Sequence, residues 1–121
     1  MYKYKITVFT PTYNRAHLLE RLYRSIQRQT FRDFEWLIVD DGSKDETAAV
    51  VSKFIKEENS FPIRYYIKEN GGKSRAVNYG LDLADGELFF IMDSDDYLSE
   101  TAVEELLCRL QADAFALSLQ I

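Results

Sequence analysis

The chain has 121 residues, 46% of them apolar and 29% charged. That is an ordinary globular composition, which suits one domain with a real core and excludes wholesale disorder. Fifteen basic against twenty acidic residues leave a net charge of −5, which argues against nucleic acid or an anionic membrane surface as a partner.

In chain order, Ile6–Thr10 is a β-branched and aromatic run that reads as a strand stopped by Pro11. Asn14 can cap a helix that carries Leu18, Leu19, Leu22, Tyr23 and Ile26 at helical spacing. Phe34–Val39 reads as a second strand, ended by Asp40-Asp41-Gly42. Ser43-Lys44-Asp45-Glu46 matches a capping box, with Val50, Val51, Phe54 and Ile55 following at helical spacing. Ile63–Ile67 is a third strand after Pro62, broken by Asn70-Gly71-Gly72. Ser74 can cap a helix with Ala76, Val77, Gly80, Leu81 and Ala84. Leu88–Met92 is an almost unbroken apolar run, the pattern of a strand buried on both faces. Ser99 opens a fourth helix with Val103, Leu106, Leu107 and Leu110, and Ala114–Ile121 can form a fifth strand. Strands that alternate with helices predict an α/β fold with a mainly parallel sheet.

Cys108, the one cysteine, excludes an internal disulfide and a cysteine-based zinc site, and its place beside Leu107 reads as buried filler. His17, the one histidine, reads as exposed and without a role. No apolar run approaches a membrane span of about 20 residues, and no signal-like stretch opens the chain, so the cytosol is the expected compartment. Residues 1–121 read as a single domain that stops on an apolar strand. The expectation is therefore a piece of a longer protein, because termini are more often polar.

In open parallel sheets, ligands bind beyond the carboxyl ends of the strands. Four polar loops stand there: Pro11-Thr12-Tyr13-Asn14-Arg15, Asp40-Asp41-Gly42-Ser43, Glu69-Asn70-Gly71-Gly72-Lys73-Ser74-Arg75, and Asp93-Ser94-Asp95-Asp96. Residues two apart on an extended chain point the same way, so Asp93 and Asp95 can face one pocket. Two carboxylates so close repel unless a cation sits near them. Oxygen-only ligands select a hard ion, Mg²⁺ or Mn²⁺, whose shell is completed by phosphates and water. The same acids could merely cap the next helix, although a cap needs only one. Asp40 and Asp41 are adjacent and cannot both face the pocket: one is expected to meet ligand and the other to bond backbone amides of the turn. A carboxylate accepting an N–H from a base ring would contribute roughly 1.5–3 kcal/mol. The Gly-Gly turn with Lys73 and Arg75 at a helix start favours an anion, though neither G-x-x-x-x-G-K-S/T nor G-x-G-x-x-G is present.

Together these loops, with Gln29-Thr30-Phe31, Asp45, Thr47, Ala76-Val77-Asn78-Tyr79-Gly80-Leu81 and Ala84-Asp85-Gly86-Glu87, resemble the nucleotide-sugar half of glycosyltransferase family 2. The resemblance runs across nearly the whole chain. It implies a Rossmann-like sheet flanked by helices, the N-terminal part of the GT-A type fold. It implies an inverting, metal-dependent transfer of sugar from a nucleotide-sugar donor, a UDP-sugar above all, in the synthesis of bacterial cell-envelope polysaccharide. The acceptor would be a saccharide or a lipid-linked one, which would place the full-length protein at the inner face of the membrane.

Residue by residue, the resemblance puts Thr12 and Tyr13 at the base pocket, with Pro11 also on the nucleotide-sugar, and has Asp41 accept a hydrogen bond from the base. Lys73 and Arg75 would lie near the ribose or diphosphate, with Ser94 also on the donor. Asp93 would reach the ribose, or the ion through water, and Asp95 would ligate Mn²⁺ or Mg²⁺ directly. In the family, the catalytic base and the acceptor site lie in a second half beyond the D-x-D strand. Residues 1–121 alone are therefore expected to bind donor without transferring sugar, and an inactive nucleotide-binding module is the rival reading. Receiver domains and Asp-nucleophile phosphatases fail on placement, since both want their acids after the first strand. The apolar run with Phe115, Leu117 and Leu119 is expected to expose an edge and to drive homodimer formation.

Overall fold

The computed structural model describes residues 2–94 and 99–109. The elements run β1 (Tyr4–Thr12), α1 (Ala16–Gln27), β2 (Phe34–Asp40), α2 (Thr47–Lys56), β3 (Ile63–Ile67), α3 (Lys73–Leu83) and β4 (Gly86–Ile91), with residues 102–109 helical as well. The four strands form one parallel sheet in the order β3-β2-β1-β4.

Period-two alternation sorts the strand residues onto two faces. Ile6, Val8, Phe34, Trp36 and Ile38 pack with Leu19, Leu22, Tyr23 and Ile26 of α1 and with Val51 and Phe54 of α2. Val103 and Leu107, from the helical turn structure at 102–109, close the same cluster. Tyr23 stacks on Phe54 with ring centroids 4.0 Å apart. Phe9, Leu37 and Val39 point the other way and meet Ala76 of α3. There α3 lies so close that a Cβ on Gly80 would fall 2.2 Å from the Phe9 ring, so only glycine lets the helix seat.

Pro11 does not stop β1. The Phe9 carbonyl accepts from Met92 N–H at 2.7 Å and so faces β4, and Pro11, two residues on, faces the same side. The β1–β4 ladder has ended by then, at Phe9 opposite Ile91, so the missing N–H breaks no bond. β4 is not buried on both faces either. It lies at the sheet edge among the described strands, with Leu88, Phe89 and Phe90 only partly covered and Ile91 exposed. Its run is apolar because Leu88 and Phe90 lean on one core cluster and Phe89 on the other.

The helix starts also differ from the local capping signals. Arg15, Glu46 and Gly72 occupy the N-cap positions, and none caps with a side chain. Ser74 lies inside α3. Cys108 is exposed, not core filler, because Val103 and Leu107 take the inward face of the 102–109 helix. His17 is exposed. The expected fifth strand at 114–121, and with it the contact through Phe115, Leu117 and Leu119, lies outside the described residues. No helix among the described residues is long and apolar enough to cross a membrane.

Candidate functional site

The carboxyl ends of the strands converge on a cavity of about 300 Å³. It is lined by Pro11, Thr12, Tyr13 and Arg15 after β1, Asp41 after β2, Lys73 and Ala76 in the first turn of α3, and Asp93 and Ser94 after β4. The structure thus brings together seven residues expected at the site: Pro11, Thr12, Tyr13, Asp41, Lys73, Asp93 and Ser94. Arg75 is not on the wall; its side chain lies back over Gly71, its Cδ 2.8 Å from where a Cβ would stand. Asp95 and Asp96 lie outside the described residues. Arg15 and Ala76 join the wall although the sequence reading gave neither a role in ligand binding.

The two adjacent acids divide in a way that spacing alone could not show. Asp40 Oδ1 accepts Ser43 N–H at 2.8 Å, and Oδ2 accepts the Tyr65 hydroxyl. Burial and the Asp40 carboxylate both push the Tyr65 phenol above its ordinary range. Asp41 also bonds backbone amides. Its Oδ1 accepts from Lys68 Nζ at 2.8 Å and Gly71 N–H at 2.9 Å, its Oδ2 accepts Gly72 N–H at 2.9 Å, and its carbonyl accepts from Asn70 Nδ2. Burial would raise this carboxyl, but the Lys68 ammonium and the two amides outweigh it and hold it below the usual carboxylate range. Asp41 therefore fixes the 70–72 loop while facing the cavity. Gly72, at φ +91°, takes a left-handed conformation that suits glycine. Lys68, the first residue past β3, is a site-building residue that the sequence reading missed.

Across the rim, Lys73 Nζ lies 2.8 Å from Asp93 Oδ1. Thr12 is 4% exposed, and its Oγ1 is the buried side-chain polar atom among the described residues that has no hydrogen-bond partner. A buried hydroxyl left unsatisfied is destabilising by about 1–3 kcal/mol, and this one belongs to a residue of the cavity wall. The wall also carries an aromatic, Tyr13, 43% exposed, two cations and two carboxylates. That set can hold a flat polar ring beside an anion. The acidic side is oxygen-only, which fits a hard cation at Asp93, although no cluster of three metal-ligating residues occurs among the described residues.

Comparison with known proteins gives a consistent picture. The family model described as Glycosyl transferase family 2 matches residues 7–120. A Campylobacter jejuni protein, GalNAc(5)-diNAcBac-PP-undecaprenol beta-1,3-glucosyltransferase, is 39% identical over 105 residues, covering 85% of this chain and 33% of its own length. The S. aureus TarS 1–349 structure in complex with UDP-GlcNAc superposes with a TM-score of 0.80 at 29% identity, over 89% of this chain and 31% of that one. The mannosyltransferase PcManGT from Pyrobaculum calidifontis, in complex with GDP-Man and Mn²⁺, gives 0.72 at 34% identity, over 78% and 28%. The chain spans about a third of the length of the Campylobacter jejuni relative and of these two solved structures.

Proposed function

The chain belongs to glycosyl transferase family 2, and we propose on that basis that its cavity binds a nucleoside diphosphate sugar, a UDP-sugar by preference, for inverting transfer to an acceptor hydroxyl. The unpartnered Thr12 hydroxyl in the cavity wall is the observation that carries this reading most directly. In this reading Thr12 and Tyr13 receive the base, and Asp41 presents an oxygen to it. Lys73, with Arg75 behind it, draws the diphosphate toward the N-terminus of α3, where backbone N–H groups favour an anion. Asp93 and Asp95 would hold Mn²⁺ or Mg²⁺. Such an ion supplies Lewis-acid stabilisation of the diphosphate leaving group, worth several kcal/mol.

Inverting displacement also needs a base for the acceptor proton, a contribution of about 10²–10⁴-fold. The acids on the described wall are both engaged by lysines, Asp41 by Lys68 and Asp93 by Lys73. Neither is placed as that base, so in this reading the base comes from outside the described wall. The acceptor class is a saccharide or a lipid-linked saccharide, as in the name of the Campylobacter jejuni relative, used by the full-length protein at a membrane face. Calorimetric titration with UDP and GDP, each with Mn²⁺ and then with EDTA, tests the reading. UDP should bind, and more tightly with Mn²⁺. Absence of binding by either nucleotide would sink the donor reading, and indifference to EDTA would sink the metal.

A further inference from the structure

The β1–β2 ladder ends where Thr12 pairs with Asp40, with one last backbone bond from Asp41 N–H to the Thr12 carbonyl. Beyond that point the two chains have no sheet to hold them together. Side chains take over. Asn14 N–H donates to Ser43 Oγ at 2.8 Å, and Lys44 N–H donates back to Asn14 Oδ1 at 2.8 Å. Further along both loops, Ala16 N–H, at the start of α1, donates to Asp45 Oδ2 at 3.2 Å. Asp45 Oδ1 is in turn held by the Thr47 N–H at 3.1 Å and by the Thr47 hydroxyl. Asn14 reaches its partners from a left-handed backbone, φ 52°, which asparagine tolerates better than most residues.

Asn14 stands between Tyr13 and Arg15, both of which line the cavity, whereas Asn14 and Asp45 do not. Backbone conformation at Asn14 thus decides where both neighbours point, and the bonds to Ser43, Lys44 and Asp45 fix that conformation to the loop that carries Asp41. We propose that Asn14 and Asp45 are positioning residues for ligand binding: without touching ligand, they extend the pairing of β1 and β2 past the sheet and hold the Tyr13–Arg15 wall opposite Asp41. The proposal rests on the reading of this cavity as a nucleoside diphosphate site.

The test uses Asn14→Asp, Asn14→Gly, Asn14→Leu and Asp45→Ala in the whole chain, each confirmed folded by chemical denaturation. Asn14→Asp keeps the acceptor and tolerates the left-handed backbone. Asn14→Gly keeps the backbone but loses the acceptor, and Asn14→Leu loses both. UDP affinity should be nearly unchanged in Asn14→Asp. It should fall about fivefold in Asn14→Gly, the equivalent of one net hydrogen bond, and further in Asn14→Leu, with Asp45→Ala resembling Asn14→Gly. Without ligand, amide hydrogen exchange at Lys44 should accelerate in Asn14→Gly and at Ala16 in Asp45→Ala. Accelerated exchange with unchanged UDP affinity would overturn the positioning role, and so would unchanged exchange. Failure of UDP to bind the unaltered chain would instead sink the nucleotide reading. The exchange measurements would then still decide whether these bonds hold the wall.

Discussion

Thr12 shows how one atom can separate folding from function. Its Oγ1 is buried without a partner, so the free protein carries a desolvated hydroxyl. Valine has the same branched shape and suits a strand. Thr12→Val should therefore leave stability unchanged or raise it by about 1 kcal/mol in urea denaturation. The same change should weaken UDP binding about fivefold if the hydroxyl meets the ligand. A variant that binds UDP as well as the parent would show that the oxygen faces no ligand. The sequence placed Thr12 at the right strand end, but no pattern of residue types could tell a satisfied hydroxyl from an orphaned one. Likewise Asp40 and Asp41 were legible as a pair, whereas their partners Tyr65, Lys68, Gly71 and Gly72 come from a strand and loop more than 20 residues away.

At the level of elements, the same contrast separates what periodicity reveals from what it hides. The strands and helices were legible because each carries its own apolar rhythm. The helix starts were not, because α1 takes a side-chain oxygen from Asp45 of another loop while its own Asn14 serves that loop. Glu35 is the extreme case. It stands second in the otherwise apolar start of β2, fully buried. Its oxygens accept from Arg64 Nε at 2.8 Å, Thr7 Oγ1 at 2.6 Å and Asp85 N–H at 2.7 Å. Through it, β1, β2, β3 and the turn into β4 are tied at the end of the sheet away from the cavity. Removing one partner of a buried ion pair leaves the other uncompensated, so Glu35→Ala should cost about 3 kcal/mol in urea denaturation. UDP affinity of the folded fraction should be unchanged, since the network is remote from the wall. A loss below about 1 kcal/mol, typical of a surface pair, would show that solvent reaches Arg64 and takes over the role of Glu35.

Across the whole molecule, the site was legible because parallel strands deliver their following loops to one rim, and four polar loops in sequence could only meet there. That convergence makes acid a common threat to fold and site. Asp41 and Asp45 both face burial, which would raise their carboxyls. In Asp41 the Lys68 ammonium and the Gly71 and Gly72 amides prevail, and in Asp45 the Thr47 hydroxyl and the Ala16 and Thr47 amides. Both folded values therefore lie below the unfolded value of about 3.9. A depressed carboxyl contributes stability that is present above its unfolded value and is lost as pH falls through its folded one. Tyr65 has the opposite sense: its raised phenol contributes stability below about pH 10 that is lost as pH climbs above it. Unfolding free energy contributed by these groups should thus be level between about pH 5 and 9 and decline on both sides. On the acid side, urea midpoints should fall below about pH 4, and amide exchange at Gly71, Gly72 and Ala16 should accelerate over the same interval, because those N–H groups lose charged acceptors. Asp41→Asn should flatten the acid limb by removing one of the two titrating carboxylates. An acid limb as steep in Asp41→Asn as in the parent would mean that other carboxylates govern acid unfolding and that the Asp41 clamp adds nothing to it.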